Sequence, residues 1–442
     1  MRVVRGLEAA RAWLRQRPPA EEDLPPSVRK RIAAVFGEEL TVEQVVERVL
    51  ADVRRDGDRA VARYNALLDG VPEGTPLAVS PEELEAAYAQ VEPGLVDALR
   101  LVRQRVEDYH RRQLEHAQRP FRADGCGQVV RPLERAGIYA PGTAVVYPST
   151  VLMIAVPARV AGVGELVMCT PARPDGSVAP AKLVAAHIAG VERVYRAGGV
   201  QAIAAMAYGT ETVPRVDKIC GPGNVFVATA KRRLFGQVGI DGLFGPSETV
   251  IVADDSADPS LVAIDLLAGA EHDELATCVL IATDSTVAEE ALEEVGMRLD
   301  SLARRDVARA SLEGRGLVAV VANVEEALEL ANDLAPEHLC LHLRDGTTWL
   351  EKVRHAGCVF LGPDSAESLG DYAAGPSHVL PTGGSARFSS PLGVWDFLKV
   401  TAYVGISAEE AARLGPAAAR VARAEGLTGH ALAIEARYRR HG

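Results

Sequence analysis

The chain has 442 residues, 48 Lys+Arg against 60 Asp+Glu, a formal net charge of -12, 48% hydrophobic residues and only 5% aromatic ones. At roughly 100–200 residues per domain, this length predicts about two to four domains with ample core, and the ordinary globular composition excludes disorder over most of the chain. The acidic balance excludes a nucleic-acid binder, which needs clustered Lys and Arg to neutralise phosphates, and disfavours electrostatic attachment to a membrane surface.

The N-terminal stretch MRVVRGLEAARAWLRQRPPAEEDLPP carries repeated arginines and no apolar run. It reads as neither a secretory signal nor a spanning helix, and a cytoplasmic protein is expected. Up to about residue 125 the pattern is helical. Thr41 with Gln44 forms a capping-box start to TVEQVVERVLADVRRDGDRAVARYNALL, and Ser80-Pro81-Glu82-Glu83 starts a second helix. After Pro93 the stretch GLVDALRLVRQRVEDYHRRQLEHA continues the amphipathic spacing. These helices offer few candidate ligands and are assigned to packing and assembly.

From about 126 short apolar runs alternate with helix-like segments. Strands are predicted at 165–172, 193–199, 216–221, 247–255, 276–284, 316–323, 338–345 and 357–362, with helical stretches such as PAKLVAAHIAG, VQAIAAMAYG, PSLVAIDLLAGAEH and VEEALELANDLAP between many of them. Such alternation predicts an α/β protein with two Rossmann-like, doubly wound parallel sheets, an N-terminal helical region and a small C-terminal helical tail. The divisions expected are 1–125, 126–245, 246–380 and 381–442. Beyond about 363 the Gly-, Ser- and Pro-rich sequence GPDSAESLGDYAAGPSHVLPTGGSARFSSPLG reads as a long functional loop.

The six cysteines, Cys126, Cys169, Cys220, Cys278, Cys340 and Cys358, include no C-x-x-C pair, and several lie in apolar runs. Neither disulfides nor a cysteine zinc site is expected. No complete G-x-G-x-x-G, no G-x-S-x-G, no H-E-x-x-H and no phosphate-loop motif occurs. Gly221-Pro222-Gly223 does lie between a strand and a helix, where free N–H groups can hold phosphate, although a tight turn is the commoner meaning.

Two Glu-His pairs stand out, Glu271-His272 and Glu337-His338. Neighbours on a helix diverge by roughly a quarter-turn or more, so such a pair can share a proton only where the backbone turns sharply. Pro336 supplies a break immediately before Glu337. A single Glu-His is more often a satisfied surface or core pair; here it offers a group titrating near neutrality beside a carboxylate. In the Gly-rich segment Asp371 and His378 stand seven residues apart, and His430 lies beyond Glu425. His272, Asp371 and His430 are the types zinc takes, with room for substrate, but no spacing rule selects them.

The strings GIYAPG, AVVYPSTVLM, PARVAGVGELVMCTP, GGVQAIAAMAYGTETVPRVDKICGPGNVFVATAKR, QVGIDGLFGPSE, AIDLLAGAEHDELA, LAPEHL, GDYAAGPSHVLPTGG and AEGLTGHA together resemble the histidinol dehydrogenase family, from about residue 28 to 436. The resemblance implies two successive NAD-linked oxidations, alcohol to aldehyde to acid, at the end of histidine biosynthesis, with one zinc per site holding the substrate's imidazole and amine. It implies Glu337 and His338 as the acid–base pair: His338 takes the alcohol proton and Glu337 activates the water that attacks the aldehyde. It implies His272, Asp371 and His430 as zinc ligands that also contact substrate, substrate contacts at Ser247, His338, His378 and Glu425, and NAD contacts at Tyr139, Gln201 and Asn224. It further implies an intertwined homodimer in which the tail bearing Glu425 and His430 completes the partner's site.

Two departures from the family pattern stand in this sequence. The family places a Gln zinc ligand three residues before the first His, and here that residue is Gly269; PGTAVV at 141–146 stands where two adjacent glycines are usual. A looser metal site could accompany a paralogous dehydrogenase of another hydroxylated small molecule, such as a hydroxy-sulfonate or an amino alcohol, or a binding protein without turnover. Intact Glu337 and His338 argue against the last. Glu425 favours histidinol, because a carboxylate suits an ammonium whereas a sulfonate wants Arg or Lys.

Overall fold

The protein is described by a computed structural model covering residues 1–15, 26–117, 119–142 and 145–438. The stretch 141–146 therefore lies partly outside the described residues.

Two parallel sheets organise the chain. In the first, five strands run in the order Arg193–Arg196, Glu165–Thr170, Arg135–Tyr139, Lys218–Cys220 and Gly239–Ile240. In the second, six strands run Arg2–Arg5, Leu317–Val320, Thr277–Ala282, Glu248–Ala253, His338–His342 and Cys358–Leu361. Helices cover both faces, which is why strands such as TCVLIA are buried at every residue and read as unbroken apolar runs. All eight strands expected after residue 126 are present. Both capping boxes form as well: Thr41 and Ser80 each accept from the N3 backbone, with Gln44 and Glu83 reaching back.

Three features differ from the expected layout. Arg2–Arg5 is a strand, paired in parallel with Leu317–Val320, so the first residues join the second sheet rather than the helical region assigned to 1–125. The segment after 381 is also more than loop and helices. Leu398–Val404 pairs antiparallel with Cys126–Pro132, and with Phe121–Ala123 they form a small third sheet. The helix Pro148–Ala161 is buried nearly all round, so it carries no polar face to reveal a helical period.

The C-terminal helices Ala408–Ala424 and Thr428–Tyr438 pack on each other around Ala419, Ala422 and Ala431. All six cysteines are free. Among the described residues, no helix is long and apolar enough to cross a membrane.

Candidate active site

The two sheets offer opposite electrostatic edges. In the five-stranded sheet the chain reverses its strand order between Arg135–Tyr139 and Lys218–Cys220, and the helices Gly199–Tyr208 and Val225–Leu234 begin at the carboxyl ends of strands. Helix N-termini carry positive partial charge, and a switch point of this kind is where doubly wound folds take dinucleotide phosphates. The predicted NAD contacts lie here. Tyr139 ends the central strand and its buried hydroxyl accepts from the Gly199 N–H at 3.0 Å. Gln201, in the first turn of that helix, donates from Nε2 to Asn65 Oδ1 at 3.2 Å, and its Oε1 is buried without a hydrogen-bond partner. Asn224 caps the next helix, accepting from Phe226 and Val227 N–H groups.

In the six-stranded sheet the functional candidates gather at the amino ends of the strands. Ser247 immediately precedes Glu248–Ala253, His272 follows the helix Pro259–Ala270 before Thr277–Ala282, and His338 opens His338–His342, in register with Thr249. Helices arrive at this edge with their C-termini, whose negative partial charge favours cations. One sheet thus presents an anion-attracting edge and the other a cation-attracting one.

The turn needed between Glu337 and the preceding helix is made at Ala335, a left-handed C-cap with φ 49, followed by Pro336. Glu337 is buried, and its Oε2 accepts from the Glu248 N–H at 3.1 Å and lies 3.7 Å from His338 Nδ1. Burial raises Glu337 to about 8 against the opposing pull of His338. His338 is also buried; its Nε2 is 3.3 Å from Asp371 Oδ1, and its Nδ1 is 3.5 Å from Glu367 Oε1. Burial by itself would lower this imidazole, but the carboxylates Glu367, Glu337 and Asp371 outweigh it and raise it to about 10. Three carboxylates around one imidazole hold a proton on it. Positive charge joining them would free the ring to act as a base.

Asp371 ends up not on a flexible loop but in the short helix Glu367–Tyr372, which the Gly-rich composition concealed. Burial would raise its carboxyl, yet the hydrogen bond and charge of His338 keep it below the usual value. His272 stands at the rim, open to solvent on one side and crowded enough that desolvation lowers its imidazole despite the nearby Asp371. His378 is lowered by burial as well, so its ring is neutral. Its Nδ1 donates to the Asp371 carbonyl at 2.7 Å, leaving Nε2 to accept from Thr150 Oγ1 at 3.1 Å. Thr150 belongs to the buried helix of the first unit, so His378 spans the interface between the two sheets' units.

Among the described residues, His272, Glu367 and Asp371 bring one ligand atom each to within 4.8 Å of one another and could hold a metal ion. Glu367 was missed at the level of sequence; its only signal was the one-turn spacing to Asp371 in ESLGD. Glu425 and His430 are exposed on the tail and do not join this cluster in the single chain. His430 thus stands apart from the two zinc-ligand candidates that do meet.

Position 269 explains its own departure. A Cβ built on Gly269 would lie 2.4 Å from Thr249 Oγ1 and 2.9 Å from Thr249 Cβ. Thr249 is buried and β-branched on a central strand, so it has little freedom to yield. The expected outcome for Gly269→Gln is a loss of about 1–3 kcal/mol from overpacking, measured by urea unfolding. Adding Thr249→Ala should recover most of it.

The family model for histidinol dehydrogenase matches residues 36–438. The curated histidinol dehydrogenase of Deinococcus radiodurans is 50% identical over 440 residues, covering 99% of this chain and 100% of the relative. That of Moorella thermoacetica is 51% identical over 395 residues, covering 89% and 93%. The crystal structure of histidinol dehydrogenase from Elizabethkingia anophelis superposes with a TM-score of 0.91 at 34% identity, covering 99% of this chain and 98% of that one. With the match running through both sheets and through every candidate site residue, the chain belongs to the histidinol dehydrogenase family and is a dehydrogenase of the NAD-dependent class.

Proposed function

We propose that this enzyme oxidises L-histidinol to L-histidine through the aldehyde, with two NAD+ consumed and one zinc ion per site. The observation that carries the reading is the meeting of a buried Glu337-His338 pair with the His272, Glu367 and Asp371 donors at one edge. That donor set fits a divalent cation, because Glu367 Oε2 is buried without a hydrogen-bond partner and a cation would satisfy it. When bound, zinc orients the substrate's imidazole and amine, and NAD+ takes a hydride at each step.

The chain's own residues divide the rest. His338 removes the hydroxyl proton as the carbinol carbon gives up its first hydride, producing the aldehyde. Glu337 takes a proton from a water molecule, whose oxygen adds to the aldehyde carbon; the hydrate then gives up the second hydride and becomes the carboxylate. Each oxidation removes two electrons, and the released protons leave through these two groups. His378, fixed by Thr150 and the Asp371 carbonyl, orients the substrate, and Ser247 lines the same edge. Tyr139, Gln201 and Asn224 serve the dinucleotide on the 126–245 unit, while 246–380 carries the chemistry. The 381–442 segment supplies Glu425 and His430 to the other subunit of a homodimer.

A hydroxy-sulfonate is the poorer substrate on this geometry, since its anion would face Glu337, Glu367 and Asp371. The test is NADH formation at 340 nm from L-histidinol and NAD+. About two NADH per histidinol consumed is expected, with activity lost on chelation and restored by zinc. No NADH in the presence of excess zinc would overturn the assignment.

A further inference from the structure

Glu367 lies beside His338 yet has no part in the proton transfers above, and its setting is unusual. Its side chain is almost fully buried, 2% exposed, one helical turn before Asp371 and on the same face. Oε1 accepts from Thr249 Oγ1 at 3.1 Å, whereas Oε2 is buried with no hydrogen-bond partner. A carboxylate oxygen shut away from water and left bare beside a second carboxylate is costly unless a cation meets it. The atom it offers lies within the same 4.8 Å cluster as those of His272 and Asp371.

Position 269, meanwhile, can contribute nothing. Gly269 has no side chain, and Thr249 fills the space into which one would grow. The same Thr249 hydroxyl that closes that approach holds Glu367 by its Oε1. One donor position is closed and a neighbouring carboxylate is held with an oxygen free.

We propose that Glu367 is a metal ligand in this chain, joining His272 and Asp371 so that one chain supplies one imidazole and two carboxylates, beside the tail imidazole of the other subunit, for a divalent cation of the zinc type. The proposal rests on the zinc-assisted reading above and refines it. Two carboxylates balance the charge of the ion, and carboxylate oxygen is a harder donor than an imidazole nitrogen.

The experiment uses the full-length protein stripped of metal, titrated with Zn2+ in competition with a chromophoric chelator, and separately loaded with Co2+ for its visible spectrum. Glu367→Ala should weaken Zn2+ binding by about 10–100-fold and change the Co2+ spectrum, while the metal-free protein keeps its far-UV circular dichroism. Glu367→Gln, which preserves shape and one oxygen donor, should weaken binding by a smaller factor. Thr249→Val, which removes the support but not the ligand, should change it less still. If Glu367→Ala fails to fold, Glu367→Gln decides. Zinc affinity and Co2+ spectrum unchanged in the variant that folds would overturn the proposal and leave zinc-assisted oxidation standing. Failure of the wild-type protein to bind zinc would overturn both.

Discussion

Glu337→Gln is expected to separate the two oxidations, so that NADH formed per histidinol consumed falls from about two toward one and the aldehyde accumulates in a semicarbazide trap. The argument is local. The Glu337 carboxylate is buried, held by a single backbone N–H from Glu248, and raised to about 8 by desolvation. Such a group is a stronger base than an exposed carboxylate and can take a proton from water when ionised. The amide accepts the same Glu248 N–H, so packing is kept while the base is lost. The alcohol step relies on His338 and should survive. In the wild type the aldehyde step should gain rate as pH rises through the titration of Glu337, because only the ionised carboxylate serves, and this rise should vanish in the Gln variant. His338→Asn should behave differently, lowering NADH formation from histidinol by about 10²–10⁴-fold, because the first proton then has no acceptor. A Glu337→Gln protein that still yields two NADH would assign the water to another group.

Much of this was legible in the residues themselves. The strands of both sheets stand out because helices bury them on two faces, leaving unbroken runs such as ETVIVA and TCVLIA. Glu337 and His338 were conspicuous because Pro336 breaks the helix beside them, and Ala335 makes the turn that lets neighbours act together. What escaped notice did so for physical reasons. Pro148–Ala161 has no polar face, so its helical period is invisible. Arg2–Arg5 is short and exposed and gains its strand character only by pairing with residues far along the chain. Glu367 looked like one polar residue in a loop until Glu367–Tyr372 folded as a helix and Thr249 was seen to face it. The meaning of Gly269 was likewise beyond reach, since it depends on the side chain across the helix–strand interface rather than on any neighbour in sequence.

The tail allows the most decisive test of assembly. Ala408–Ala424 and Thr428–Tyr438 pack chiefly on each other, and Val421, Leu427 and Leu432 are exposed there. Leu398–Val404, which leads to them, is an edge strand with Val400 and Val404 more than half exposed. Apolar surface of this kind, together with Glu425 and His430 held away from the metal donors of their own chain, is explained if the tail lies on a second copy and completes its site. His338→Asn and His430→Asn proteins should then each be nearly inactive. In a mixed dimer, one site combines both defects and the other combines an intact core with an intact tail. Random mixing should therefore restore roughly one quarter of wild-type activity, from half the dimers with one working site each. If the tail served its own chain, every site in the mixture would carry a defect and no activity would return.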